Sequence, residues 1–178
     1  MNSINKNQAE DNYKNLVGDE AIAKIKDLAK KGGSCFFCTK IQTGQSFSTR
    51  PMAPELIDDD GNFWFLSAND SEKNLEIATD PMVQLLFQGG SYSDFLNLYG
   101  KVTISTDKHK IDELWDPMLK TWFTEGKDDP RITVLRFTPT DGYYWDTKNG
   151  IAVAFVKRIV GAIKGETIDD SMEGKIRP

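Results

Sequence analysis

The sequence predicts an α+β protein in which helices flank a mostly antiparallel β-sheet or barrel. Six or seven short segments show apolar and aromatic residues at strand spacing, bounded by Gly, Pro, Asn and Asp. Few of them are separated by a helix, which argues against a doubly wound parallel sheet. The length of 178 residues is typical of one domain, so we predict a single domain over residues 1–178, with flexible termini at 1–10 and 166–178.

The charge and hydropathy of the chain argue against two classes of partner, nucleic acids and membranes. The net charge is −5, with 22 basic and 27 acidic residues, which argues against broad binding to nucleic acid. The first eight residues are polar, and the longest apolar run, residues 151–156, is too short to span a bilayer. We therefore expect a cytoplasmic protein with neither a nucleic-acid nor a membrane partner.

Three segments have the apolar spacing of helices. They cover residues 11–31, 69–79 and 107–124, and Pro117 predicts a kink in the third. Residues 151–163 fit either a strand or a helix, and the spacing of their apolar residues favours a helix.

The remaining apolar segments predict strands. They are residues 34–41, 45–50, 63–66, 82–88, 96–105, 132–137 and 142–145. The polar segment 165–178 predicts a frayed tail.

The two cysteines, Cys35 and Cys38, have the spacing of a C-x-x-C redox pair. Such a pair normally begins a helix, whereas Phe36 and its neighbours predict a strand, on which residues three apart point to opposite faces. We therefore favour two small buried apolar residues. His109 is the only histidine and lies in a charged cluster, so we predict a surface histidine and no metal site.

Residues 46–54, Ser-Phe-Ser-Thr-Arg-Pro-Met-Ala-Pro, alternate like a strand but contain two prolines and a central arginine. Because proline lacks a backbone N–H, it is confined to sheet edges and bulges. The missing donor at Pro51 leaves a gap at which a flat ligand could take hydrogen bonds from Met52 and Ala53.

The segment 63–75 predicts a strand that ends at Ser67 and a helix that opens with an Asn69–Glu72 capping box. Lys73 then lies in the first helical turn, where a cation opposes the helix dipole at a cost of about 0.3–1 kcal/mol. An exposed lysine could tolerate that cost. Alternatively, Lys73, Ser67, Ser71 and the free helix N–H groups could together bind a phosphate.

Arg50 would complete such a pocket if its strand neighbours the strand 63–67. Arginine holds two phosphate oxygens with its planar fork, and lysine adds a compact charge. The alternative is that Arg50 and Lys73 are two unrelated surface residues. The four tryptophans are typical of a core or an interface, and one could wall an aromatic ligand. They are Trp64, Trp115, Trp122 and Trp145.

An ordered set of motifs resembles one family. It consists of S-T-R-P-M, W-F-L-S-x-x-x-S-x-K, D-P-x-V-x-L-x-F, Y-G-K-V-T-I, W-x-P-M-L-x-x-W-F, D-D-P-R-I-T-V-L-R-F and Y-Y-W-D. Over residues 15–165 the chain resembles the general stress protein 26 family, within the pyridoxamine 5′-phosphate oxidase-like FMN-binding split barrels.

The resemblance implies a split β-barrel homodimer with two FMN sites at the subunit interface, and FAD is an alternative cofactor. It implies that Arg50 and Lys73 hold the flavin phosphate and that backbone near Pro51 and Met52 faces the ring. Further implied contacts are Ser67 and Ser71 at the phosphate, Ser48 and Thr49 beside the ring, and Gln88 and Trp145 from the dimer partner.

The chain departs from the family's true oxidases at its end. Those enzymes resemble this chain but hold the substrate phosphate with an Arg-x-His pair, and residues 174–178 contain no histidine. Three functions stay open. The first is a stress-type flavoprotein, which would act either as a low-specificity oxidoreductase with a small-molecule redox partner or as a flavin reservoir. The second is an amine oxidase, and the third is a cofactor-free dimeric interaction module. The first is favoured, because dimerisation alone does not explain the Arg50, Ser67, Ser71 and Lys73 set.

Overall fold

A single, mostly antiparallel β-sheet with helices packed on it forms the fold, as the sequence predicts. The computed structural model describes residues 12–90, 94–147 and 171–178. The strands are β1 (Leu16–Val17), β2 (Cys35–Thr39), β3 (Ser48–Met52), β4 (Leu56–Ile57), β5 (Phe63–Ala68), β6 (Met82–Gln88), β7 (Phe95–Ser105), β8 (Ile132–Thr147) and β9 (Ser171–Arg177). The helices are α1 (Gly18–Gly32), α2 (Glu72–Thr79) and α3 (Lys108–Leu114), and two 3-10 turns follow α3 at Pro117–Thr121 and Gly126–Asp128.

Strand β8 organises the sheet. The strand order is β1-β9-β8-β7-β6-β2-β3, and β5 pairs with β4 and with the first half of β8. The sequence predicts two strands, 132–137 and 142–145, where the structure has one. The difference arises at Pro139, which pairs with Gly100 at the point where the β7–β8 register shifts. A bulge at such a shift accommodates proline without ending the strand.

The sheet buries two apolar clusters. The larger lies against α1 and includes Ile25, Phe37 and Phe63, and the smaller lies under α3 and includes Leu66 and Ile111. The nine strands in the described residues exceed the six or seven predicted, because β1 and β4 have only two residues each and β9 is polar. Among the described residues, no helix is both long and apolar enough to cross a membrane.

Strand β3 contains Pro51, although the predicted strand ends at residue 50. It pairs with β2 on one side and is the last strand in the sheet order, so its other edge has no strand partner among the described residues. Proline is tolerated there because no ladder hydrogen bond is lost. The expectation that β3 neighbours β5 is wrong, because β5 pairs with β4 and β8.

The predicted helix boundaries need three corrections. Helix α1 begins at Gly18, after β1, and not at residue 11. Helix α2 has Ser71 as its N-cap, so the predicted Asn69–Glu72 capping box is wrong. The third helix is not kinked but ends at Leu114, and a separate 3-10 turn begins at Pro117.

The chain's last residues correct the prediction of a frayed tail. Residues Ser171–Arg177 form β9, which pairs antiparallel with β8 and parallel with β1. Gly174 lies so close to the Lys14 backbone that an added Cβ would stand 1.9 Å from the Lys14 carbonyl oxygen. Residues 1–10 and 151–163 lie outside the described residues.

Gly174→Ala is expected to destabilise the protein by about 1–3 kcal/mol, because a methyl group there must displace the Lys14 backbone. Urea denaturation at neutral pH measures the loss. Lys175→Ala, an exposed change on the same strand, is the control and should leave the free energy of unfolding nearly unchanged. Equal stability of the two variants would show that β9 is not docked as described.

Candidate functional site

The buried Glu76 carboxylate lies at the centre of a polar cluster between α2 and the β2–β3 hairpin. The Glu76 side chain is 6% exposed, and four side chains donate to it. Its Oε2 accepts hydrogen bonds from Thr39 Oγ1 and from Arg50 Nη2, the latter at 2.8 Å. Its Oε1 accepts from Ser48 Oγ at 2.8 Å and from Lys40 Nζ at 3.2 Å. The carboxylate therefore ties the helix to both strands of the hairpin.

The register of the hairpin explains why these donors converge. Ser48 pairs with Thr39, and Arg50, two residues later on β3, pairs with Phe37, two residues earlier on β2. Paired residues share a face and alternate residues share it too, so Ser48, Arg50 and Thr39 point the same way. Arg50 is 22% exposed, and its Nη1 also donates to Thr39 Oγ1 at 2.7 Å.

Glu76 is charged in the folded protein. Burial by itself raises the pKa of Glu76, but the hydrogen bonds from Thr39, Arg50, Ser48 and Lys40 outweigh burial and lower the pKa to about 2. Arg50 is therefore held against a permanent negative charge at neutral pH.

Lys73 lies near Arg50 and is partly buried. Burial lowers the pKa of the Lys73 ammonium, the positive charge of Arg50 lowers it further, and Asp70 acts in the opposite direction. The structure thus brings the two predicted cations, Arg50 and Lys73, within electrostatic range of each other. Unlike Arg50, Lys73 forms no salt bridge with any carboxylate of the described residues.

Ser67 and Ser71 meet at the buried Asn74. Both hydroxyls donate to Asn74 Oδ1, at 2.6 Å from Ser67 and 3.1 Å from Ser71. Asn74 Nδ2 donates to Thr133 Oγ1 at 2.8 Å, and that hydroxyl donates to the Ser67 carbonyl at 2.9 Å. The two serines therefore fix the strand-to-helix turn, and their direct contact with a phosphate stays a prediction.

Four other predicted residues lie on the opposite face of the sheet from Arg50: Thr49, Pro51, Gln88 and Trp145. Pro51 and Gln88 line a cavity of about 260 Å³ together with Phe36 and Leu86. Trp145 pairs with Phe95 of β7, which pairs in turn with Gln88. Trp145 is 40% exposed, and its ring centroid lies 4.6 Å from that of Tyr143. Four strand spacings separate β3 from β8, about 19 Å along the sheet.

Thr49 and Met52 complete the predicted set. Thr49 is exposed and faces Cys38, whose Sγ lies 3.5 Å from its hydroxyl. Met52 is partly buried, and its carbonyl accepts from Cys35 Sγ at 3.4 Å. Both cysteines are free and buried, which confirms the prediction of small apolar residues. His109 is exposed, as predicted.

The cluster around Glu76 fits a small dianion. Lys40 and Arg50 share the single carboxylate of Glu76, and Lys73 lies within electrostatic range of Arg50 without a salt bridge to any carboxylate of the described residues. The N-cap residue of α2 makes no side-chain cap hydrogen bond, so the first N–H groups of the helix have no such partner. A terminal phosphate matches both features, because it carries two charges and accepts hydrogen bonds.

Sequence reasoning missed Glu76, Thr39, Lys40 and Asn74. The available signal was helical spacing: a helix over 69–79 places Glu76 next to the apolar Ile77 on the face that packs on the sheet. A carboxylate on a buried face requires donors, and Arg50 was the candidate cation.

The fold and the site together define a class, a mixed α+β protein with a mostly antiparallel sheet and a cluster of cations around a buried carboxylate beside a short helix. The chain belongs to the pyridoxamine 5′-phosphate oxidase-like family, whose model matches residues 20–169.

The chain is also similar to individual proteins and to solved structures. The chain is 30% identical to general stress protein 26 of Bacillus subtilis over 78 residues, which cover 42% of this chain and 55% of that protein. A general stress protein 26 structure from Jannaschia sp. CCS1 superposes with a TM-score of 0.71 at 26% identity and covers 90% of this chain and 100% of that one. A general stress FMN/FAD binding protein from Xanthomonas citri gives a TM-score of 0.56 at 23% identity, over 67% and 84% of the two chains.

Glu76→Gln is expected to lower the free energy of unfolding at pH 7 by about 3 kcal/mol, because the pKa of Glu76 falls from 4.5 to about 2 on folding. A group whose pKa is lowered by folding contributes stability above its unfolded pKa. The difference between the two proteins should therefore shrink as the pH falls from about 4.5 towards 2. Denaturant titrations at several pH values measure it.

Glu72→Gln is the matched control for this prediction. Glu72 is an exposed carboxylate in the first turn of the same helix, so its removal should change stability little at any pH. A Glu76→Gln difference that stays constant from pH 7 to pH 3 would contradict the prediction.

Proposed function

We propose that this protein binds FMN, with the flavin phosphate held by Arg50 and Lys73 beside the first turn of α2. The observation that carries the proposal is the pair of neighbouring cations, one of them without a carboxylate partner in the described residues, at the start of a helix with no side-chain cap. The family assignment and the relative described as FMN/FAD binding support it.

Each residue has a defined part in the proposal. Arg50 contributes the guanidinium N–H groups that Thr39 and Glu76 leave unused, and Lys73 contributes a compact charge. Ser67 and Ser71 act through Asn74 to fix the turn that carries Lys73. The flavin supplies the redox chemistry, towards a small-molecule partner or as a stored cofactor. The first phosphate of FAD would fit the same cations, and the cytoplasmic location stays a prediction.

We further propose a split-barrel homodimer that places the flavin at its interface. Three large apolar side chains are well exposed on the sheet face that carries Pro51 and Gln88: Phe36 at 56%, Tyr99 at 40% and Trp145 at 40%. Covering this face with a second copy would bury them. Within one chain, Trp145 and Arg50 lie on opposite faces of the sheet. A flavin bound at Arg50 of one protomer would therefore contact Gln88 and Trp145 of the other protomer.

Lys73→Ala and Arg50→Lys are each expected to weaken FMN binding about tenfold, because each removes charge-assisted hydrogen bonds worth about 1.5–3 kcal/mol. Arg50→Lys retains a charge for Glu76 but loses the planar fork. Fluorescence titration of FMN measures the dissociation constants.

Lys30→Ala is the matched control, since Lys30 is exposed in the last turn of α1 and away from the cluster. Unchanged affinity in both Lys73→Ala and Arg50→Lys would exclude the proposed phosphate site. Full-length protein that takes up neither FMN nor FAD would exclude the flavoprotein function and favour the interaction module.

Phe36→Glu is expected to convert the dimer to a monomer, because it places a charge on the apolar face that we propose to be covered. Sedimentation at a fixed protein concentration gives the mass. Trp122→Glu is the control, since Trp122 is 65% exposed but directly follows a 3-10 turn and does not belong to the sheet face. A monomer in the unaltered protein would refute the dimer.

A further inference from the structure

We infer that Glu76 is a positioning residue that orients the Arg50 guanidinium for phosphate and so sets the preference of the site for phosphorylated flavin over riboflavin. This inference rests on the proposed function. It concerns a residue that would not touch the flavin but would act through Arg50.

The hydrogen bonds of Arg50 support a positioning role. Nη1 donates to Thr39 Oγ1 at 2.7 Å and Nη2 donates to Glu76 Oε2 at 2.8 Å, so the guanidinium is held at two of its three nitrogens. An arginine side chain loses considerable rotamer entropy when it is fixed. Because Glu76 fixes it in the absence of ligand, that entropy is not lost again when a phosphate binds.

The surroundings of Glu76 show that the carboxylate is itself fixed. Thr39 and Ser48 donate to its two oxygens, and Lys40 adds a charge at 3.2 Å. A carboxylate with donors on both oxygens cannot rotate to follow Arg50. The guanidinium therefore takes its orientation from the β2–β3 hairpin and α2, and not from the ligand.

Glu76 also separates the roles of the two cations. Arg50 is paired with Glu76, whereas Lys73, one helical turn before Glu76, has no carboxylate partner within the described residues. Without a carboxylate at position 76, three cations would repel one another, and Arg50 would be free to turn away from Lys73 towards solvent. The carboxylate thus offsets the repulsion between the two like charges and holds Arg50 on the hairpin, within electrostatic range of Lys73.

A comparison of FMN with riboflavin tests the inference, because riboflavin has the ring but not the phosphate. In the full-length protein, Glu76→Gln should weaken FMN binding about tenfold and leave riboflavin binding unchanged. The matched control Glu20→Gln, which removes an exposed carboxylate of α1 outside the cluster, should change neither. In an Arg50→Lys background, which already lacks the oriented fork, Glu76→Gln should change FMN affinity by less than about twofold.

Three results would overturn the inference. Equal losses of FMN and riboflavin affinity in Glu76→Gln would show that Glu76 only supports the fold. Tighter FMN binding by Glu76→Gln would show that the Glu76 charge only repels the phosphate. A full tenfold loss of FMN affinity when Glu76→Gln is added to Arg50→Lys would show that Glu76 does not act through Arg50.

Glu76→Asp keeps the inference testable if Glu76→Gln does not fold. It retains the charge but withdraws it from Arg50 by one methylene, so an intermediate loss of FMN affinity is expected, and unchanged affinity would overturn the inference. Absence of FMN binding by the unaltered protein would overturn the proposed function as well. Normal FMN binding with a wild-type FMN-to-riboflavin ratio in Glu76→Gln would overturn the inference alone.

Discussion

The arrangement of the candidate site depends on one buried charge, the Glu76 carboxylate. Removing a carboxylate from water costs several kcal/mol unless donors replace the lost hydration. Glu76 finds its donors on β2, on β3 and in the residue after β2, so the helix that carries it can lie in only one position on the hairpin. Lys73 lies on the same helix, and this constraint therefore also brings it beside Arg50.

Helix α2 would not hold that position by itself. It has eight residues, fewer than an isolated helix needs to be stable in water. Three side chains fix it to the sheet by different means: Ile77 packs into the larger apolar cluster, Glu76 binds the hairpin, and Asn74 joins the serines of the preceding turn to Thr133 of β8. A cation on a helix fixed in this way has little freedom to move, which is what a preformed anion site requires.

Apolar patterns predicted the elements whose stability comes from apolar burial. Strand β6 has the predicted bounds, Met82–Gln88, because its alternate residues Val83, Leu85 and Phe87 are buried. Strand β9 was missed because its residues are mostly polar, and its place is set by backbone pairing with two other strands and by the close approach of Gly174 to Lys14. Arg50 and Lys73 could be selected from charge and local context. Glu76, the partner that holds Arg50 near Lys73, could not be predicted, because a contact between residues 50 and 76 depends on how α2 packs on the hairpin.

The alternation of β3 connects the two faces of the sheet. Arg50 points towards Glu76, and the next residue, Pro51, points to the face that also carries Phe36, Gln88 and Trp145. Because β3 is an edge strand, a ligand bound at Arg50 could pass around the open edge of β3 and contact the backbone after Pro51. The N–H that proline lacks would point to that open edge, so no hydrogen bond between strands is lost. An edge strand with proline beside the arginine can therefore serve both an anion site on one face and an apolar surface on the other, whereas a central strand would separate them.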